Sequence, residues 1–143
     1  MVQVMHSIIL PADVLWTVLS DLESWASWLP TIDALRPVEA GRPAEVGAAY
    51  VLDQPGLPRA KWTITDWRPG AGFTWESRAV GVRSTGRHEL ASTGQGTDVM
   101  LSIEWTGPFA GLVRLLYGRK TKRYVEREVK ALEHTAKDLT DRT

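Results

Sequence analysis

Apolar residues return at steps of four, three, four and three through Val125, Val129, Leu132, Ala136 and Leu139. That spacing is one face of an α-helix. No proline interrupts the segment from Pro108 to about Asp141, and Pro108 itself sits where proline suits a first helical turn. At 1.5 Å per residue, an unbroken helix of this length spans roughly 50 Å. Upstream, the period changes to two. Val99, Leu101, Ile103 and Trp105 alternate with Asp98, Met100, Ser102 and Glu104. Trp62 and Ile64 alternate with Lys61, Thr63 and Thr65, and Phe73 and Trp75 with Thr74 and Glu76. One apolar and one polar face mark antiparallel strands with one side buried.

Taken in order, the pattern predicts a strand over Val2–Leu10, with Val4, His6, Ile8 and Leu10 on one side. Pro11 and Asp13 open a helix whose buried stripe is Leu15, Val18, Leu19 and Leu22. A second short helix, Leu22–Trp28, ends before Leu29-Pro30. Strands follow over Ala34–Val38, Gly47–Asp53, Ala60–Trp67, Phe73–Val80, Val82–Ala91 and Thr97–Trp105, separated by Gly- and Pro-containing turns. The layout is α+β: a seven-stranded antiparallel sheet, two short helices after strand one and a long C-terminal helix. Alternating turns place the loops Gln54–Pro58, Val80–Val82 and Thr106–Pro108 at one end of the sheet. A long helix laid across a curved sheet leaves a space between them, and that space is the first functional candidate.

The long helix carries a second stripe. Phe109, Leu112, Val113 and Leu116 fall about 100° away from the stripe of its second half. One straight helix cannot turn both toward a flat core, and Gly118, a poor interior helix residue, lies between them. The expectation is a bend, a local unwinding or a break near Gly118, with Phe109–Tyr117 as a lid over the cavity mouth. That arrangement makes Leu116, Tyr117 and Thr121 candidate ligand contacts. Otherwise the exposed leucines meet a second copy of the chain or a membrane surface.

Composition narrows the function. A length of 143 residues predicts one domain over 1–143. Seventeen basic and 17 acidic residues cancel, which argues against a nucleic-acid partner. There is no cysteine, and His6, His88 and His134 are not at metal-ligand spacing, so neither metal nor other cofactor is implied. The N-terminus lacks a signal-peptide pattern, and no apolar run approaches the roughly 18 residues of a membrane span. The expectation is a cytoplasmic protein without stable membrane insertion. The anomaly is seven tryptophans.

Alternation turns Trp62, Trp75 and Trp105 inward, as sealed core or as walls of an apolar pocket. His88 is the inward-facing ionisable group of a well-defined strand. It is read either as a histidine satisfied within the core or as a polar contact or general base for a ligand, the weak catalytic candidate. His6 is its neighbour if strand one faces as written, and His134 is solvated. Trp25 is read as a staple between the helix pair and the sheet. The basic run Gly118–Arg123, followed by Glu126, Glu128 and Glu133, reads as a solvated helix face.

The opening SIILPADVLWTVLSDLESWASWLP, the hairpins DWRPGAGFTWE and GRHELASTGQGTDVML, and the amphipathic C-terminal segment together resemble the START-like, Bet v 1-like superfamily (SRPBCC). The nearest group is the bacterial polyketide cyclase/dehydrase and lipid-transport proteins. The resemblance implies a helix-grip fold, a sheet curled around the last helix over a hydrophobic cavity, with the region of Trp28 at its rim. It implies a small hydrophobic ligand: a lipid, an isoprenoid or an aromatic polyketide-like molecule. The alternative is an enzyme on the same scaffold, a polyketide cyclase/aromatase or dehydratase. His88 is the single firm inward ionisable group, whereas paired acid–base chemistry calls for two, which favours binding.

Overall fold

The computed structural model describes residues 1–142. Strand β1 (Val2–Ile8) leads into helix α1 (Ala12–Leu19), a 3₁₀ turn (Leu22–Ser24) and the single helical turn α2 (Trp25–Trp28). Strands β2 (Ala34–Pro37), β3 (Ala49–Asp53), β4 (Ala60–Arg68), β5 (Gly72–Ala79), β6 (Val82–Ser92) and β7 (Thr97–Thr106) follow, and α3 (Ala110–Asp141) ends the fold. The expected second helix is therefore a 3₁₀ turn joined to one α turn. It stops because Pro30 forces the preceding Leu29 into an extended conformation, with ψ of 108°. Likewise β1 ends at Ile8 rather than Leu10, because its partner β7 begins at Thr97, the residue paired with Ile8.

All seven strands form one antiparallel sheet in the order β1-β7-β6-β5-β4-β3-β2. The segment from α1 to α2 thus carries the chain from one edge of the sheet to the other. Helix α3 packs on β1, β7 and α1. This is the helix-grip arrangement.

Strand β4 departs from simple alternation. Ile64 pairs with Trp75, but a bulge follows, so that Asp66 pairs with Thr74 and Trp67 with Phe73. One extra residue resets the two-residue period, and Trp67 turns onto the inner face. Its ring lies 5.4 Å from Phe73 and 5.0 Å from Trp16. Arg68 ties down the bulge, donating to Asp66 at 2.7 Å and to Glu89 at 2.6 Å. On β6, Gly86 admits the indole of Trp75: a Cβ there would stand 2.8 Å from the indole nitrogen.

Helix α3 is continuous through all 32 residues, so the expected unwinding or break at Gly118 is absent. A glycine costs a helix only about 1 kcal/mol relative to alanine. A break would instead leave up to about four donors and four acceptors to be satisfied elsewhere. The two stripes are reconciled at the surface. Val125, Val129, Leu132 and Ala136 are buried in the core, whereas Phe109, Leu112, Leu115 and Leu116 are exposed. Leu139, expected in the buried stripe, is 40% exposed at the helix's free end.

Candidate functional site

Two adjoining spaces lie between α3 and the sheet. The outer one, about 330 Å³, is walled by Trp62, Ile103 and Trp105 from the sheet and by Val113, Tyr117 and Thr121 from α3. It opens between the loop after β3, through Gln54, Leu57 and Pro58, and the β5–β6 turn, through Ala79 and Val82. The inner space, about 60 Å³, is bounded by Trp25, Trp75, His88, Tyr124 and Glu128. The two share Leu52, Trp62, Ile103 and Thr121 as common walls.

Alternation on β4, β5, β6 and β7 turns the tryptophans inward, and the helix supplies the opposite wall at its own period. Tyr117, Thr121, Tyr124 and Glu128 step by four, three and four, one face of α3. The mouth loop is strapped to that face. The Tyr124 hydroxyl donates to the Pro55 carbonyl, and Lys120 Nζ donates to the Gly56 carbonyl at 3.4 Å. On the other side of the mouth, the Phe109 N–H donates to the Gly81 carbonyl at 2.9 Å, locking the helix start to the β5–β6 turn.

At the inner end His88 is 5% exposed and stacked flat on Phe73, with centroids 4.2 Å apart and planes 11° apart. The rings of Trp25 and Trp75 lie 5.7 Å away on other sides. His88 Nε2 faces Glu128 Oε1 at 3.6 Å, and both side chains are largely buried. His88 Nδ1 and Trp62 Nε1 are buried without a hydrogen-bond partner in the protein. Chemically, the inner end offers one imidazole, one carboxyl and an unpartnered indole N–H, inside an enclosure of aromatic and aliphatic side chains. Among the described residues, no group of three His, Cys, Asp or Glu side chains could hold a metal ion.

Of the residues singled out from sequence, Trp62, Trp75, Trp105, His88, Tyr117 and Thr121 border these spaces. Two lie elsewhere. Leu116 is 63% exposed, because an unbroken helix places it about 100° from Tyr117. Trp28 packs on Trp25 at 6.2 Å and borders neither space. Gln54, Leu57 and Pro58 border the outer space, whereas Trp28 and Thr106–Pro108 line neither. Trp25 staples as expected, its indole N–H donating to the Leu19 carbonyl at 3.0 Å, but it also walls the inner space. His6 is not beside His88. It pairs with Val99, while His88 pairs with Leu101, and its Nε2 meets Glu133 of α3 at 3.3 Å.

The residue that sequence reasoning missed is Glu128. Sequence alone groups it with the solvated charges that follow the basic run. The available signal was its seven-residue separation from Thr121, two helical turns along the same face.

This fold and its walled space define the SRPBCC, helix-grip class. The chain belongs to the polyketide cyclase/dehydrase and lipid-transport family, which it matches over residues 1–137. No curated protein sequence matches it. Among solved structures it is similar to the Zhui aromatase/cyclase from Streptomyces sp. R1128, with a TM-score of 0.76 at 18% identity, over 95% of this chain and 92% of that one. It is also similar to the di-domain ARO/CYC StfQ of the steffimycin biosynthetic pathway, with a TM-score of 0.79 at 12% identity. That match covers 97% of this chain but 51% of StfQ, about half its length. Ara h 8.0201 matches with a TM-score of 0.66 at 14% identity, over 95% of this chain and 96% of that one. At these identities the likeness is one of fold. No helix among the described residues is long and apolar enough to cross a membrane.

Proposed function

We propose that the chain binds a small, largely apolar molecule in the space between sheet and α3. The observation that carries this reading is the roughly 330 Å³ outer space, walled by Trp62, Trp105, Tyr117 and aliphatic side chains and bordered by Arg59, Lys61 and Arg78. Its volume falls near the lower end of the range of about 300–1,000 Å³ usual for small-molecule pockets. Affinity would come mainly from apolar burial, at about 25 cal/mol per Å² before the costs of association. Trp62 Nε1, buried and unpartnered, suits an oxygen acceptor on the ligand, since an indole N–H can only donate. The class that fits is a compact ring system or short isoprenoid bearing a carbonyl or hydroxyl. A fluorescence titration with a panel of such compounds tests this. Tryptophan quenching and a raised melting temperature are expected, and a panel that produces neither overturns the reading.

A second reading, chemistry on the bound molecule, is favoured by one observation: the His88–Glu128 approach at 3.6 Å. A paired acid and base is what proton-transfer chemistry calls for, and two matched solved structures are aromatase/cyclases. Ring closure of a carbonyl chain moves a proton off carbon, and aromatisation then expels a hydroxyl as water. Each step needs a group that takes or gives a proton beside an enclosed substrate. Under this reading Glu128→Gln lowers turnover by about 10²–10⁴-fold while ligand quenching persists. Under the binding reading alone, the same substitution alters affinity and nothing is converted.

A further inference from the structure

The first turns of α3 present a surface that the cavity reading does not use. Leu112, Leu115, Leu116, Arg119, Lys122 and Arg123 are all exposed. At 3.6 residues per turn they share one outward arc of about 120°. Leu115 is 81% exposed, and half-exposed Phe109 begins the same face. The helix start is bonded to the β5–β6 turn, whose tip residue Val80 is 91% exposed. The apolar end and the tip therefore form one platform. Beyond it the helix turns basic: Arg119, Lys122 and Arg123 lie on this arc, and its first acidic residue, exposed Glu126, comes about one turn later. In a chain whose net charge is zero, this is a local concentration of one sign.

We propose that this platform docks on the surface of an anionic lipid bilayer, with the leucines at the headgroup boundary and the cations over the acidic headgroups. An interfacial helix needs both signals, a shallow apolar face and a basic flank, because neither alone holds firmly. Nucleic acid fits less well, since it would leave the leucines without a partner. A second copy of the chain could cover the leucines, but its own helix start, without an acidic residue from Thr106 to Val125, would give the basic flank no opposite charge. The platform adjoins the mouth: Val113 and Tyr117 on its inner side, and Ala79 and Val82 beside Val80, border the opening. Docking would therefore bring the bilayer, where apolar molecules dissolve, to the far side of the helix that walls the cavity, about one helix diameter from it. That loading route rests on the cavity reading above, whereas the docking does not.

The test is sedimentation with vesicles of phosphatidylcholine, alone or mixed with phosphatidylglycerol, at low and high salt. The chain should sediment with the mixed vesicles only, and salt should release it. Leu112→Ser/Leu115→Ser and Arg119→Glu/Arg123→Glu should each weaken binding at least about tenfold. Melting temperatures should hold, because these side chains are exposed. Absence of binding to mixed vesicles overturns the proposal. So does a charge-only response, in which the leucine variant binds like the parent. A dimer that depends on Leu112 and Leu115 and ignores vesicles assigns the platform to a second copy, and likewise overturns it. The fluorescence titration without vesicles stays separate: sedimentation without ligand quenching keeps the docking and removes the cavity reading.

Discussion

The two halves of α3 belong to one continuous helix, yet they meet opposite surroundings. In the second half Val125, Val129, Leu132 and Ala136 sit against the sheet and α1 in the main core. In the first half the inner side borders a cavity, and Leu112, Leu115 and Leu116 face outward. The difference teaches that apolar periodicity says which residues share a face, not what that face meets. A helix can carry two stripes out of phase without breaking if one of them is not core.

The largest test of that contrast is truncation. Leu132, 1% exposed, is expected to lose about 2–5 kcal/mol on change to Ala. Leu115→Ala should cost below about 0.5 kcal/mol. Urea unfolding of the two variants measures both, and similar losses would break the comparison. Next is the joint that holds the first half in place. Gly81 has φ of +75°, and a Cβ there would stand 2.2 Å from the ring of Phe109. Gly81→Ala should therefore cost about 1–2 kcal/mol, and should free the helix start to exchange amide hydrogens faster. Unchanged exchange would mean the joint does not restrain that half.

Gly118, between the halves, should behave oppositely. Inside the helix a Cβ there meets nothing nearer than Arg114 Cγ at 3.6 Å. Gly118→Ala is expected to add roughly 0.5–1 kcal/mol of stability and leave ligand quenching unchanged. A loss of affinity would restore the hinge that the continuous helix argues against. The smallest effect lies at the rim. A hydrogen bond from Arg59, which borders the mouth, holds the Asp53 carboxyl below its ordinary range. A lowered folded value means that the pair stabilises above the ordinary aspartate range and fades as pH falls through the folded value. An NMR titration should show Asp53 protonating late on acidification, and Arg59→Gln should return it toward ordinary behaviour.

Much of the fold was legible because its signals are local. The alternation of Val99, Leu101, Ile103 and Trp105 needs only the pleat of β7, and the burial of Val99, Leu101 and Trp105 follows from it, with Ile103 half-buried beside the cavity. The same alternation placed Trp62, Trp75, Trp105 and His88 on the inner face. It failed to place Trp67, because the bulge after Ile64 adds one residue to the count without a glycine or proline to announce it. Trp28 and Leu116 were misplaced for a different reason. Each was assigned from where a rim or lid ought to be, and that depends on how far a helix runs before the neighbouring element stops it.

Sequence alone determined the order of elements, the faces of the strands and the spacing of both stripes on α3, because φ/ψ preference and apolar period act within a few residues. Tertiary structure decided which stripe became core and where the mouth opened. It also brought Glu128 on α3 to within 3.6 Å of His88 on β6, forty positions earlier in the chain. No period along the chain encodes that approach. It exists because the sheet curls around the helix, and the angle of that curl is set by every packed side chain between them.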